Sequence, residues 1–286
     1  MSNVSPEWLA AISQGRQYSV APTDTKYAVP ITPWLHPPLD ERLQALIRRL
    51  GIRRKLQRQE VIFANAQAVS ELVLVEQGVV ARNFGMASSK PHTSAAISTP
   101  GHLGSGNLNF FTRRPVFGQY FALTRAEVTC CAKDLLLSVL STDPKLFSLL
   151  LKHLECCTLS DRVGFALVAF APVELRIKAF VITWAIHFAK IIEDGSDLVV
   201  KMPVPLTRNN RCLVANASSV STDSCLKSWK DKGVWIREGD FVTFPASFFD
   251  DAYRWMRNAE ENSPYVYPKT LSELFRMLPK LTNPWY

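Results

Sequence analysis

A chain of 286 residues with 47% apolar composition can bury one or two substantial cores, which excludes a disordered tail or a small disulfide-held module. Its formal charge of +8 favours a polyanionic partner, although charge alone is weak evidence. The six cysteines (130, 131, 156, 157, 212 and 225) form neither a C-x-x-C pair nor a zinc-ligand spacing, so they read as free core thiols, with a redox pairing of the two vicinal couples as the competing reading.

The first residues, Met1 to Gln17, carry no basic segment followed by a continuous apolar run, as a secretory leader would. The most apolar region, Val163 to Ile192, is interrupted by Pro172, Glu174, Arg176 and Lys178. It falls short of the roughly 20 uninterrupted apolar residues a bilayer demands and is expected to form buried helices. A cytoplasmic location without membrane contact is therefore expected.

Residues 1–38, rich in Pro, Ser and Thr and without a clear period, read as a variable N-terminal arm. Leu39, Leu43, Leu46, Ile47 and Leu50 then recur at helical spacing, with Asp40 and Glu41 in the first turn and Gly51 as the stop. From Ile52 to Leu140 short β-type runs follow: Glu60–Phe63, Leu72–Val75, Val79–Arg82, Tyr120–Leu123 and Leu135–Leu140. Turn-rich segments at Ser88–His92 and Pro100–Gly106 separate them, predicting an antiparallel roll over residues 39–142, a cup suited to a small ligand.

Asp143-Pro144 opens a long helix over residues 143–171 whose apolar positions (Leu146, Leu149, Leu150, Leu154, Val163, Leu167, Phe170) exceed one face. Two apolar sides imply packing on the roll and on a second copy of the chain. Pro172 breaks this helix; the next is predicted from about Val173 to Glu193, before a turn at Asp194–Asp197. Leu198–Pro205 reads as a strand, Thr207–Ala215 and Ser218–Lys232 as two helices joined near Asn216-Ala217, and Val234–Arg237 with Phe241–Phe244 as a hairpin. That order outlines a winged helix-turn-helix over residues 172–245. A helical extension, residues 246–286, carries Phe248, Phe249, Tyr253, Trp255 and Met256 on one predicted helix and opens another with a capping box at Thr270 and Glu273.

Four strings in this order resemble the family of the cyclic-AMP receptor protein and the Fnr regulators, the bacterial Crp/Fnr transcription regulators. They are Leu72 to Val80 around the turn at Gly78, Gly101 to Phe111 in the ligand cassette, Val168 to Ile177 at the hinge, and Leu206 through Trp229 to Val234 in the helix-turn-helix. The resemblance spans about residues 40–244. It implies an α+β fold: an N-terminal cyclic-nucleotide-binding-like β-roll, a long central dimerisation helix and a C-terminal winged helix-turn-helix. It also implies a non-enzymatic regulator whose partners are double-stranded DNA, a second copy through residues 143–171 and RNA polymerase. The sequence holds no G-x-S-x-G elbow, Walker loop, H-E-x-x-H or dinucleotide fingerprint.

The effector pocket of such a fold falls on Gly106, Asn107, Phe117, Gly118, Asp161 and Arg162, and it departs from the family pattern. The ribose-binding glutamate and phosphate-binding arginine correspond to Asn107 and Phe117, and Asp161 and Arg162 replace the small hydroxyl residues that reach the purine. Cyclic AMP is therefore not expected as effector. The first cysteine is Cys130, so an Fnr-type iron-sulfur cluster is not expected either. His102 and His153 are the residues a haem would need, but single histidines of this kind read as ordinary hydrogen-bonded groups. No cofactor is expected.

The resemblance places the recognition helix at Ser218 to Lys230, with Ser218 among the DNA-binding residues at its start, outward base-facing candidates Ser219, Val220, Asp223, Ser224 and Lys227, and no arginine between Val220 and Lys232. Arginine gripping guanine is the commonest specific contact, so base discrimination is expected to be modest. Thr207, Arg208, Arg211, Lys227, Lys230 and Arg237 are candidates for phosphate contact. Residues 201–244 hold seven basic side chains against four acidic ones, a mild bias toward DNA. A second basic run, Arg48-Arg49, Arg53-Arg54-Lys55 and Arg58, reads as a solvated face. The alternative function is a protein-interaction adaptor that keeps the fold and has lost base reading.

Overall fold

The computed structural model describes residues 5–16, 28–84, 95–105, 109–112, 114–115, 118–194, 197–260 and 263–281. Its first element lies inside the segment expected to be an irregular arm. Ser5 accepts a hydrogen bond from the Trp8 backbone N–H and so caps helix α1, Pro6–Ser13, which buries Trp8 and Ile12. Residues 28–40 then run buried without a break, a pattern with no period because the strand-like segment is covered on every side. Leu35 bridges to Ile97, the Ser160 hydroxyl donates to the Thr32 carbonyl, and the Ile31 N–H donates to Glu260.

Helix α2, Glu41–Leu50, starts at Asp40, whose carboxylate accepts from the Arg42 N–H. The roll follows as β1 Ile52–Leu56, β2 Val61–Phe63, β3 Glu71–Gln77, β4 Val80–Asn83, β5 Ala95–Ser98, the short helix α3 Asn109–Thr112, β6 Gln119–Ala122 and β7 Ala126–Ala132. Its strands form a three-stranded sheet in the order β1-β7-β3 and a four-stranded sheet in the order β2-β6-β4-β5. Gly78 sits at φ 81° in the β3–β4 turn, where a Cβ would meet the Arg125 carbonyl at 2.2 Å. That close approach accounts for the glycine.

Leu135–Leu140, expected as a strand, belongs to helix α4, Lys133–Leu140. Leu136 and Leu140, four apart, are fully buried while Leu135 is exposed, so the apolar run follows helical periodicity. Helix α5, Pro144–Phe170, has Pro at its first position and Asp143 accepting from the Lys145 and Leu146 N–H groups. Leu150 and Leu154 join the roll core with Leu43, Leu72 to Val75, Leu103, Val128 and Leu136. Helix α6, Val173–Phe188, ends five residues earlier than expected, because Lys190 to Asp194 form strand β8.

Strand β8, Lys190–Asp194, pairs with β9, Asp197–Pro203. Helices α7, Arg208–Ala215, and α8, Ser219–Asp231, follow, then the hairpin β10, Ile236–Glu238, and β11, Phe241–Pro245, in a sheet ordered β10-β11-β9-β8. The extension is a 3-10 turn at Ala246–Phe249 and helices α9, Asp250–Asn258, and α10, Leu271–Leu281. Phe248 and Phe249 thus precede the helix expected to carry them. The Glu273 N–H donates to Thr270 and the Lys269 N–H to Glu273, so capping at Thr270 is present.

One apolar core joins α1 and the arm (Trp8, Trp34, Leu35) and the roll (Val79, Ile97, Phe121) to α6, the second sheet and the extension (Phe180, Trp184, Val200, Trp229, Phe244, Phe275). The roll and C-terminal region are thereby packed directly on each other. No helix among the described residues is long and apolar enough to cross a membrane.

Candidate nucleic-acid interface

Three local devices build the helix-turn-helix. Thr207 caps α7 by accepting from the Asn210 N–H, Asn216 takes the left-handed conformation (φ 46°) that ends it, and Ser218 caps α8 by accepting from the Ser221 N–H at 3.0 Å. Trp229 fixes α8 to the domain. It is fully buried, donates its indole N–H to Glu174 at 3.0 Å, and meets Trp235, Phe248 and Phe249 at ring separations of 5.5 to 5.7 Å. Gly233, at φ 69°, turns the chain into the hairpin whose tip is Gly239.

The opposite face of α8 is open. Val220 is 75% exposed, and Asp223, Ser224, Lys227 and Lys230 are exposed beside it, while Ser219 is half-buried and Ser218 is engaged as the cap. Arg208 on α7 grips Asp223 on α8 through both nitrogens of its fork, with Nε to Oδ1 at 2.9 Å. The one acidic side chain among the base-facing candidates is thus neutralised by a phosphate-contact candidate. Arg237 is exposed on β10 and donates to the Gly239 carbonyl at 3.0 Å.

Arg211 is placed differently from the other phosphate-contact candidates. Its side chain turns inward, is 8% exposed, and donates from Nη1 to the Pro205 and Leu206 carbonyls. Burial, helped by the charge of Arg237, lowers its guanidinium pKa. Sequence periodicity carried no signal for this, because a long cation in an eight-residue helix reads as surface.

In the roll, Gly106, Asn107 and Phe117 lie outside the described residues. Gly118, at φ 100°, forms a turn in which a Cβ would strike the Asn83 carbonyl oxygen at 1.9 Å. Asp161 points from α5 into its own roll, pairing with Arg82 on β4 and with His36 Nε2 at 3.3 Å, whereas Arg162 is exposed on the outer face of α5. Arg82 also donates to the Tyr120 hydroxyl at 3.3 Å. Burial opposes charge on both partners, yet Arg82 together with His36 holds the Asp161 pKa low, and Tyr120 together with Asp161 raises that of Arg82. No local pattern signals this network, since His36 and Arg82 lie far from Asp161 along the chain.

His102 and His153 are both buried. His102 Nδ1 lies 3.0 Å from the Thr99 and Pro100 carbonyls, and His153 Nε2 lies 3.4 Å from Cys157 Sγ. Burial lowers their pKa to about 4 and about 3, so both are neutral near pH 7. Burial raises the thiol of Cys156 to about 12 and holds that of Cys157 well above its ordinary value, which makes both poor nucleophiles. In the second basic run, Arg48 pairs with Glu76, Arg54 lies near Glu60 and Glu71, and Lys55 reaches Glu127, as on a solvated face.

No family model and no curated protein sequence matches the chain. Solved structures do. FixK2 from Bradyrhizobium japonicum superposes with a TM-score of 0.57 at 12% identity, over 68% of this chain and 92% of that one. The c-di-GMP-responsive global regulator CLP of Xanthomonas campestris gives 0.54 at 15%, over 72% and 99%. A CooA mutant from Carboxydothermus hydrogenoformans gives 0.54 at 13%, over 77% and 95%. These neighbours are Crp/Fnr regulators, and likeness at such low identity is likeness of architecture. The chain has the α+β fold of the Crp/Fnr family, in a strongly diverged sequence.

Proposed function

We propose that the chain is a homodimeric DNA-binding transcription regulator whose roll does not use cyclic AMP. The observation that carries this reading is the open face of α8, presented beside a hairpin by a helix-turn-helix whose hydrophobic side is anchored through Trp229. Lys227, Lys230 and Arg237 supply cations at its margins. The structural neighbours are regulators rather than enzymes, which supports a non-catalytic role. RNA polymerase remains the partner expected of such a regulator.

Pairing through α5 is part of the reading. Leu151 and Leu159 are exposed on it, at 42% and 36%, while Phe165, 45% exposed, packs edge-on against Phe84 at the end of β4. The roll enters this reading as a self-filled platform: the Arg82–Asp161 pair, His36 and the buried arm stand where the roll meets α5. Asp223 and Val220 on a face without arginine point to weak base discrimination, with affinity resting on phosphate contacts.

An electrophoretic shift on DNA from the chain's own promoter region tests the reading. Retardation that weakens steeply with salt is expected, with further weakening when Lys227 and Lys230 are changed to Gln. The adaptor alternative draws on the same arginine-free face; under it, Ser219→Ala with Ser224→Ala leaves function intact and no DNA is retained at any salt.

A further inference from the structure

A cleft of about 260 Å³ opens where α7 and the hairpin meet α1 and the roll. Its walls include Arg208, Arg211 and Arg237, with Ser5 from the cap of α1, Thr124 from the roll and the carboxylate residue Asp240. Three arginines against one carboxylate give the cleft a positive lining. Arg208 is matched by Asp223 outside the cleft, and among the described residues Arg237 bonds to the Gly239 carbonyl through Nε.

Arg211 is the informative member. It is more than nine-tenths buried, and its Nε has no hydrogen-bond partner. Its other contacts are neutral carbonyls, so it has no counterion among its hydrogen-bond partners. A buried cation in that condition is costly unless an anion completes it. The cleft also borders the start of α7, an end of a helix that favours a negative partner.

We propose that this cleft binds a small phosphate-bearing anion, held by Arg211 and Arg237 at the start of α7, and that occupancy fastens the helix-turn-helix to the arm and roll. A phosphate group suits the site because its oxygens accept from several guanidinium and backbone donors at once. The consequence for DNA rests on the proposed function: Thr207, Arg208 and Arg237 are also candidates for DNA phosphates, so a free phosphate in the cleft competes with the duplex.

The test has two arms, both on the full chain. In the first, thermal unfolding is followed in potassium phosphate against potassium chloride at matched ionic strength. A saturable rise in Tm with phosphate is expected, with loss of that rise in Arg211→Met. Should that variant not fold, Arg237→Gln, at an exposed hairpin position, is expected to raise the half-saturating phosphate about tenfold. No phosphate-specific rise, or an equal rise in the wild type and both variants, overturns the site. In the second arm, phosphate at fixed ionic strength weakens promoter DNA binding by the wild type but not by Arg211→Met. Unchanged DNA binding at saturating phosphate overturns the competition. If the chain binds no DNA at all, the regulator reading fails while the first arm still decides the cleft.

Discussion

Arg82 on β4 and Asp161 on α5 form an ion pair with side chains 7% and 10% exposed, so the long helix is tied to its own roll by two charges in a nearly dry site. Removing one partner leaves the other buried without compensation, which typically costs about 3–5 kcal/mol. Asp161→Asn is therefore expected to lower the urea midpoint strongly, while Arg82→Met with Asp161→Leu recovers much of the loss. Cyclic AMP is expected to leave Tm unchanged in the wild type. A Tm that rises with cyclic AMP would remove the idea of a self-filled roll.

Acid should weaken the fold ahead of general acid denaturation. His102 and His153 have native pKa values of about 4 and about 3, below the ordinary imidazole value of about 6.5, so the unfolded chain binds protons that the native one does not. Their contribution is fully present above about pH 6.5. It drains as pH falls toward about 4 and then 3, at up to roughly 1.4 kcal/mol per pH unit for each histidine. His187, also lowered by burial, acts in the same direction. The Asp161 contribution begins to fall only below the ordinary carboxylate value of 3.8. Urea midpoints from pH 7.5 to 4.5 should fall with this slope, and His153→Gln should flatten it.

Gly164 sits within α5 with Trp34 against it: a Cβ would come within 2.6 Å of the buried indole nitrogen. Glycine to alanine inside a helix ordinarily stabilises by about 0.5–1 kcal/mol. Here the rigid, fully buried ring cannot yield cheaply, so Gly164→Ala is expected to lower Tm. A raised Tm would mean that the arm does not pack on α5.

The outer face of α5 is expected to pair two chains. Leu151→Glu and Leu159→Glu should convert the dimer to a monomer in sedimentation velocity and reduce DNA affinity together, without unfolding the roll. A wild-type monomer at tens of micromolar would contradict this part of the proposal.

The elements with strong local chemistry were legible from the residues. Asp143-Pro144 announced α5, and Glu238-Gly239-Asp240 the hairpin turn. The errors arose where tertiary packing overrode pattern. The arm between Ala28 and Asp40 is buried although its Pro- and Thr-rich composition reads as surface, because Leu35 bridges to Ile97 of the roll and Trp34 packs on Phe180 of α6. Leu135 to Leu140 is an apolar run of a length at which helix and strand are hard to separate. The outward face of α8 was readable because Trp229 and Thr222 mark its buried side. The inward turn of Arg211 and the pairing of Asp161 with Arg82 were not, since both depend on residues brought together only by the fold.

The central claim is that the open face of α8 enters a DNA groove. Genome-wide mapping of DNA bound in cells expressing the chain tests it most directly. The account predicts discrete sites that share a degenerate, two-fold motif with half-sites about one helical turn apart. A featureless background, unchanged when Lys227 and Lys230 are replaced by Gln, would contradict it.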